Sequence, residues 1–270
     1  MNKRHHYDKR SHTHVILAYG ESPYLEECIQ SLLNQTVETR IIMATSTPND
    51  YLTALADRYH LPVRVNPRKS SLAGDWDFAL HCAGTPLVTL AHQDDVYHKY
   101  YTADILRAAN RARKPLIIHT DYWEIREDKM VDDNRLLRIK RLMLLPMRLK
   151  MLWGSRFTRR RILSLGNPIC CPSVTYGVEN LEDFHFRRNM HCNVDWQAWE
   201  EISRKKGSFA YVSKKRMGHR IHTASATSEM IVDDRRHQED LAMYLKFWPA
   251  PLAALLEHFY GRAEGSNQLN

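Results

Sequence analysis

Through the first third of the chain the apolar positions alternate between two periods. Apolar runs at 14–18, 40–44 and 87–91 and a short stretch at 62–65 read as strands, the 87–91 run as a buried central one. Between them the apolar residues recur at helical spacing. Leu25, Cys28, Ile29, Leu32 and Leu33 follow Ser22-Pro23, a cap and first-turn pair. Leu52, Leu55, Ala56 and Tyr59 follow Thr47-Pro48-Asn49-Asp50, and Leu72, Trp76, Ala79 and Leu80 mark a third helix over 72–82. Strand and helix in turn predict an α/β domain whose central sheet is mostly parallel and carries helices on both faces.

Beyond residue 91 the rhythm changes. A helix is predicted over 100–111, with Ile105, Leu106 and Ala109 inward, then a strand over 116–119, a helix from 195 to 202 and a strand over 209–212. The stretch 166–176 reads as a proline-bounded loop leading into a short strand, and 229–261 as mainly helical with a polar tail. Between Arg135 and Arg161 ten lysines and arginines interleave with leucine, isoleucine, methionine and tryptophan. Such a segment can lie on an anionic membrane surface as a basic amphipathic helix pair, or pack its apolar face on the protein's own core with the charges in water.

Composition narrows the class. With 270 residues, 43% hydrophobic and 26% charged, the chain has the makeup of an ordinary globular protein large enough for one domain with two lobes. Its five cysteines form no CxxC pair and are odd in number, which argues against a disulfide scaffold or zinc ribbon and fits a reducing cytoplasm. Cys170 and Cys171, side by side, read as small core residues. The longest apolar run, 247–256, is broken by Pro249 and Pro251 and is too short to span a bilayer. Residues 1–12 are charged, lack a signal-peptide core and read as a flexible basic leader. A net charge of +8 points to an anionic partner, and no nucleic-acid-binding motif accompanies it.

The candidate chemistry begins where the fourth strand ends, on His92-Gln93-Asp94-Asp95. Open α/β sheets present ligands at the carboxyl ends of their strands. Adjacent carboxylates there repel unless a cation lies between them, and a divalent, oxygen-seeking ion whose shell is completed by a nucleoside diphosphate would supply it. A solvated turn is the competing reading. Asp195 places an acid in the first turn of a late helix, where it suits the helix dipole.

Together these pieces resemble a family 2 glycosyltransferase of the GT-A fold, over about 14–227. Four matches occur in order. Val15-Ile16-Leu17-Ala18-Tyr19, followed by 24–36 (YLEECIQSLLNQT), is similar to the first strand and helix. His92-Gln93-Asp94-Asp95 stands where members carry a DxD-type motif, with His92 in place of its first acid. Val194-Asp195-Trp196 is placed like the helix start whose acid is the general base. Arg220-Ile221-His222, with Ser225 and Thr227, is similar to a late RxHxxSxT motif. Ala44-Thr45-Ser46-Thr47 replaces the Asp-Asp-Gly-Ser that is common after the second strand, so the nucleobase stays open.

The resemblance implies a Rossmann-like GT-A domain over 13–230, with a donor half at 13–125, an acceptor half at 126–230 holding a basic helical insert at 134–161, and a C-terminal helical extension with a tail at 231–270. It implies an inverting transferase using Mn²⁺ or Mg²⁺, with Asp195 as base. Tyr19, Asp77, His92, Asp94 and Arg220 would bind the donor, and Asp94, Asp95 and His222 the metal. The donor would be a nucleotide sugar, with UDP the favoured carrier. The acceptor would be a saccharide or lipid-linked, in cell-surface polysaccharide or lipopolysaccharide assembly in the cytoplasm or on the inner face of the plasma membrane. Two readings compete. A nucleotidyltransferase would also pair acids with a diphosphate, but no Gly-rich, Lys-containing loop follows the first strand. A non-catalytic basic docking protein would use 135–161.

Overall fold

The computed structural model describes residues 6–68, 71–222 and 235–265; Ser225, Thr227 and residues 1–5 lie outside them. The predicted opening is present: β1 (His12–Ala18), α1 (Leu25–Leu33), β2 (Arg40–Thr45), α2 (Asp50–Arg58), β3 (Val63–Val65), α3 (Leu72–Ala83) and β4 (Leu87–His92). Local chemistry sets the boundaries. The Asn49 side chain caps α2 by accepting from the Leu52 N–H at 2.8 Å, and Ser71 caps α3 by accepting from Gly74. Gly84, at φ 63°, ends α3 in the left-handed conformation that costs glycine least. The first helix differs from expectation. Ser22 accepts from Tyr24 and Leu25 in a turn, so α1 starts at Leu25 and Pro23 precedes it.

The chain continues through β5 (Val96–Tyr97), α4 (Tyr101–Arg111), β6 (Pro115–Arg126), β7 (Lys129–Val131), α5 (Arg135–Met143), α6 (Arg156–Leu163), β8 (Val174–Gly177), α7 (Val194–Arg204), β9 (Ser208–Ile221), α8 (Arg235–Tyr244) and α9 (Ala250–Gly265). Among the described residues nine strands form one sheet ordered β3-β2-β1-β4-β8-β6-β9-β5, with β7 against β6. Strands β1 to β4 are mutually parallel where they pair, β8 is antiparallel to β4 and β6, and β9 is parallel to β6.

Both β6 and β9 run well past the apolar cores that predict them. Their second halves, Asp121–Arg126 and Lys215–Ile221, pair register by register across an irregularity at Asp121. These halves mix polar and apolar residues with neither an unbroken apolar run nor strict alternation, and so lack a strand pattern. Their pairing carries the end of β9 back beside β5, with Val96 opposite Gly218, and brings residues 219–222 to the acidic turn.

The described part of the leader, from residue 6, packs on the domain. Tyr7 is buried, its N–H donates to Asn110 and its hydroxyl to Glu179, so this part of 1–12 belongs to the body of the domain. The basic insert is two short helices joined by 3-10 turns at Leu145–Arg148 and Lys150–Leu152. Leu137, Leu144, Met147, Trp153, Ile162 and Leu163 are buried on the core side.

One insert cation goes inward with them. Arg159 is 1% exposed, stacks on Phe209, and donates to the carbonyls of Ser203, Lys205 and Gly207 just past α7. These acceptors include orphan carbonyls of a helix end that water cannot reach. Arg159→Met keeps the stem and removes three charge-assisted bonds. It is expected to lower unfolding stability by about 3 kcal/mol or more in a urea titration.

Candidate functional site

Strand β4 delivers His92 to the sheet's carboxyl edge, opposite Leu17 of β1, and the chain turns there as the Asp95 N–H donates to the His92 carbonyl at 3.2 Å. Gln93 lines the cavity with its amide already engaged. Its amide accepts from the Tyr19 N–H at 2.9 Å and donates to the Tyr19 carbonyl at 3.0 Å, clamping the ends of β1 and β4 together. The Tyr19 side chain is left exposed at the rim.

The two acids of the turn have different surroundings. Asp95 is wholly buried, and its Oδ1 accepts from the Arg220 N–H at 2.8 Å and lies 3.1 Å from His219 Nδ1. Asp94 faces the cavity, with Oδ2 3.0 Å from His222 Nε2. Burial pushes the Asp94 carboxyl up, but the His222 hydrogen bond and the neighbouring imidazoles of His92 and His219 bring it below its ordinary value. Burial likewise works against a charged His219, yet the Asp95 carboxylate outweighs it and raises that imidazole.

Two buried atoms at the turn, His92 Nε2 and Asp95 Oδ2, have no hydrogen-bond partner. One ligand atom from each of His92, Asp94 and Asp95 lies within 4.8 Å of the others. Unpartnered buried polar atoms carry a desolvation cost that a bound cation would remove, and carboxylate with imidazole suits Mn²⁺ or Mg²⁺. The residues fit such an ion. His222 stands behind Asp94 rather than within the group of three.

Arg220 is expected to offer its charge to a donor. Instead its guanidinium donates to Glu27, Asp128 and the Asp94 carbonyl, and it lies over the Tyr24 ring at 4.3 Å. It lines the cavity with its guanidinium already engaged and braces the acidic turn. A second expectation is also corrected: Asp77 is turned away from the cavity, accepting from the Phe186 N–H at 2.8 Å. Asp75, two residues earlier and so on the opposite flank of α3, lines the cavity. It accepts from Ser46 at 3.0 Å and Asn66 at 2.8 Å.

The cavity encloses about 710 Å³ and is lined from both halves of the sequence: by Ala18, Tyr19, Ser46, Asp75, His92 and Asp94 from the first, and by Lys140, Asn167, Asp195, His219 and His222 from the second. Asp195 sits in the first turn of α7. Its Oδ1 accepts from the Trp196 N–H at 2.7 Å and its Oδ2 from Asn167 Nδ2 at 2.8 Å. Burial raises this carboxyl above its ordinary value, and the two donors offset only part of that. Trp196 and Trp199 are wholly buried and pack, while Cys170 and Cys171 line the inner wall as free thiols that burial holds protonated.

The loop before Asp195 is held from the C-terminal helices. Glu239 of α8 accepts from the N–H groups of His191, Cys192 and Asn193 at 2.8 to 2.9 Å, a carboxylate crowning the amino end of α7. Asn193 donates to Asp240 at 2.6 Å. Tyr244 of α8 and Tyr260 of α9 both pack against Trp196. Asn167, His219, Lys140 and Glu239 carry no motif that singles them out in the sequence. The nearest signal is the Gly166-Pro168 bracket around Asn167.

A family model described as glycosyl transferase family 2 matches residues 13–177. No curated protein matches the sequence. Among solved structures, S. aureus TarS 1-349 in complex with UDP-GlcNAc is similar with a TM-score of 0.66 at 13% identity, over 96% of this chain and 76% of that one. The mannosyltransferase PcManGT from Pyrobaculum calidifontis, in complex with GDP-Man and Mn²⁺, has a TM-score of 0.63 at 12% identity, over 98% and 77%. Glucosyl-3-phosphoglycerate synthase from Mycobacterium tuberculosis, in complex with Mn²⁺ and UDP-glucose, has a TM-score of 0.53 at 14% identity, over 83% and 77%. At such identities the likeness is one of fold, and the curled mixed sheet with its flanking helices is that of the GT-A glycosyltransferases.

Proposed function

The chain belongs to glycosyl transferase family 2, and from that membership we propose that it moves a sugar from a nucleoside diphosphate to an acceptor hydroxyl with inversion at the anomeric carbon. The observation that carries this reading is that Asp94 and Asp195, from distant parts of the sequence, line one cavity. Inversion requires an attacking hydroxyl and a leaving diphosphate on opposite sides of the sugar carbon, each served by its own group.

In this reading Asp195 takes the proton of the acceptor hydroxyl. Its raised carboxyl makes it a stronger base than a solvated aspartate, and the Asn167 and Trp196 donors keep it ionised and aimed. His92, Asp94 and Asp95 would hold Mn²⁺ or Mg²⁺, which when bound supplies charge to the departing diphosphate. His222 orients the Asp94 carboxylate, and Arg220 the turn that carries it. Ser46, Asn66 and Asp75 form the polar cluster proposed to meet the nucleobase, and Tyr19 the flat rim beside it. A saccharide or lipid-linked acceptor in cell-surface polysaccharide assembly is the proposed setting.

The test is a thermal-shift panel of UDP- and GDP-sugars with and without Mn²⁺, followed by hydrolysis assays on any donor that stabilises the protein. Stabilisation by at least one donor, larger with the metal, is expected. If no nucleotide sugar stabilises the protein or is hydrolysed, the reading fails.

The pH profile has a defined sign. Asp195 acts when ionised, so the rate rises with pH through a carboxyl held above the ordinary range. Asn167 donates to the ionised form and lowers that carboxyl, so its loss disfavours ionisation further. Asn167→Ala is therefore expected to reduce kcat/KM about tenfold at the acidic end while leaving the alkaline plateau close to the parent's. An unshifted acidic limb would separate this residue from the base.

A further inference from the structure

We infer that the outer face of the insert, residues 135–165, docks the protein on a bilayer containing anionic phospholipid. Every residue exposed in this stretch is an arginine, a lysine, a large apolar residue or Gly154. Seven of the fifteen large apolar side chains exposed among the described residues lie here, with Met151 84%, Phe157 73% and Leu142 69% exposed. Isolated exposed leucines are ordinary; this concentration on two short helices and the 3-10 turns between them is not.

The charge of the segment selects the partner. No aspartate or glutamate occurs from residue 134 to 178, while ten of the chain's 39 lysines and arginines do. The rest of the chain holds 29 cations against 31 acids, so its whole excess of positive charge sits in this segment. Arg159 is spent inside the fold, and Arg138, Arg141 and Arg160 pair with Asp133, Asp121 and Glu200. Arg148, Lys150 and Arg156 are exposed and make no ion pair among the described residues. Leu145, Leu149, Met151 and Phe157 are exposed beside them.

Apolar side chains interleaved with unpaired cations match the interface between headgroup phosphates and acyl chains. An acid-free surface has nothing to pair with the cations of a second copy. No helix among the described residues is long and apolar enough to cross a membrane, so the contact is peripheral. Leu136 and Lys140 on the other side of α5 line the cavity, so docking would hold its mouth close to the lipid surface.

The experiment is co-sedimentation of the full chain with phosphatidylcholine vesicles, with and without phosphatidylglycerol, at low and high salt. Binding to the anionic vesicles alone, weakened by salt, is expected. Arg148→Glu with Arg156→Glu should weaken binding at least ~25-fold, from about fivefold per cation near an anionic surface. Leu149→Glu with Met151→Glu should also weaken it. Both variants change exposed residues, and an unaltered thermal transition and donor-dependent shift show that fold and cavity persist. Absence of binding to anionic vesicles overturns the inference, as does equal binding to neutral ones or binding that neither double variant weakens. So does a dimer that Leu149→Glu with Met151→Glu dissociates, together with failure of the parent to bind vesicles.

Discussion

Asp195→Asn is expected to lower kcat by about 10³-fold, the span a general base commands, while donor affinity and the Mn²⁺-dependent thermal shift stay within a factor of two of the parent. The substitution removes the base and leaves the acidic turn untouched. It should also stabilise the protein. Burial raises the Asp195 carboxyl in the fold, so the ionised form at neutral pH costs stability that an amide does not. The fold accepts the amide, because Asn167 Oδ1 has no partner and a flip of that side chain turns an acceptor toward the new NH₂. The sign of the pH dependence follows. A carboxyl raised in the folded state stabilises below its unfolded value and loses that contribution as pH rises. The melting temperature of the variant should therefore exceed the parent's by a few degrees near neutrality, at about 2–4 °C per kcal/mol, and the gap should close toward acid. A variant that keeps turnover, or that melts lower than the parent at pH 7, would separate Asp195 from the role assigned to it.

The second large effect is at the acidic turn. Asp94→Ala removes the cavity-facing acid of the turn and the acceptor of His222, leaving His92 and Asp95 as a pair of donors too few for a stable site. Donor affinity in the presence of Mn²⁺ should fall at least ~10²-fold, and the metal-dependent part of the thermal shift should vanish. The fold should survive, because Asp95, the buried acid, keeps its bonds to His219 and the Arg220 N–H. Persistence of the metal-dependent shift in Asp94→Ala would place the ion elsewhere. The two variants are complementary: one retains binding and loses turnover, the other loses both.

What the sequence reveals and what it hides follow from how each residue is held. Strands β1, β2 and β4 are buried on both faces, so they appear as unbroken apolar runs, and the helices between them show a single apolar stripe. The outer halves of β6 and β9 are held by their pairing with each other, and half-polar strands of that kind read as loops. Helical phase distinguishes Asp75 from Asp77. Asp75 lies three residues after Leu72 and flanks the stripe of Leu72, Trp76 and Ala79, whereas Asp77 falls on the far side. Arg220 was legible as a cation near the site. That Glu27 and Asp128 already claim its guanidinium depends on two exposed segments that only the folded chain brings there. Asn167 and Glu239 act through loop placement, which has no period to detect.

The carboxylate of Glu239, gripping three successive amides ahead of Asp195, ties the last helices to the proposed base although they follow the matched family segment. Trimming the protein at residue 230 to obtain a tidier specimen would leave the acidic turn whole and the proposed proton acceptor without its latch. Such a fragment should still take up donor yet release sugar slowly, and a preparation clipped there would be mistaken for an enzyme offered the wrong acceptor.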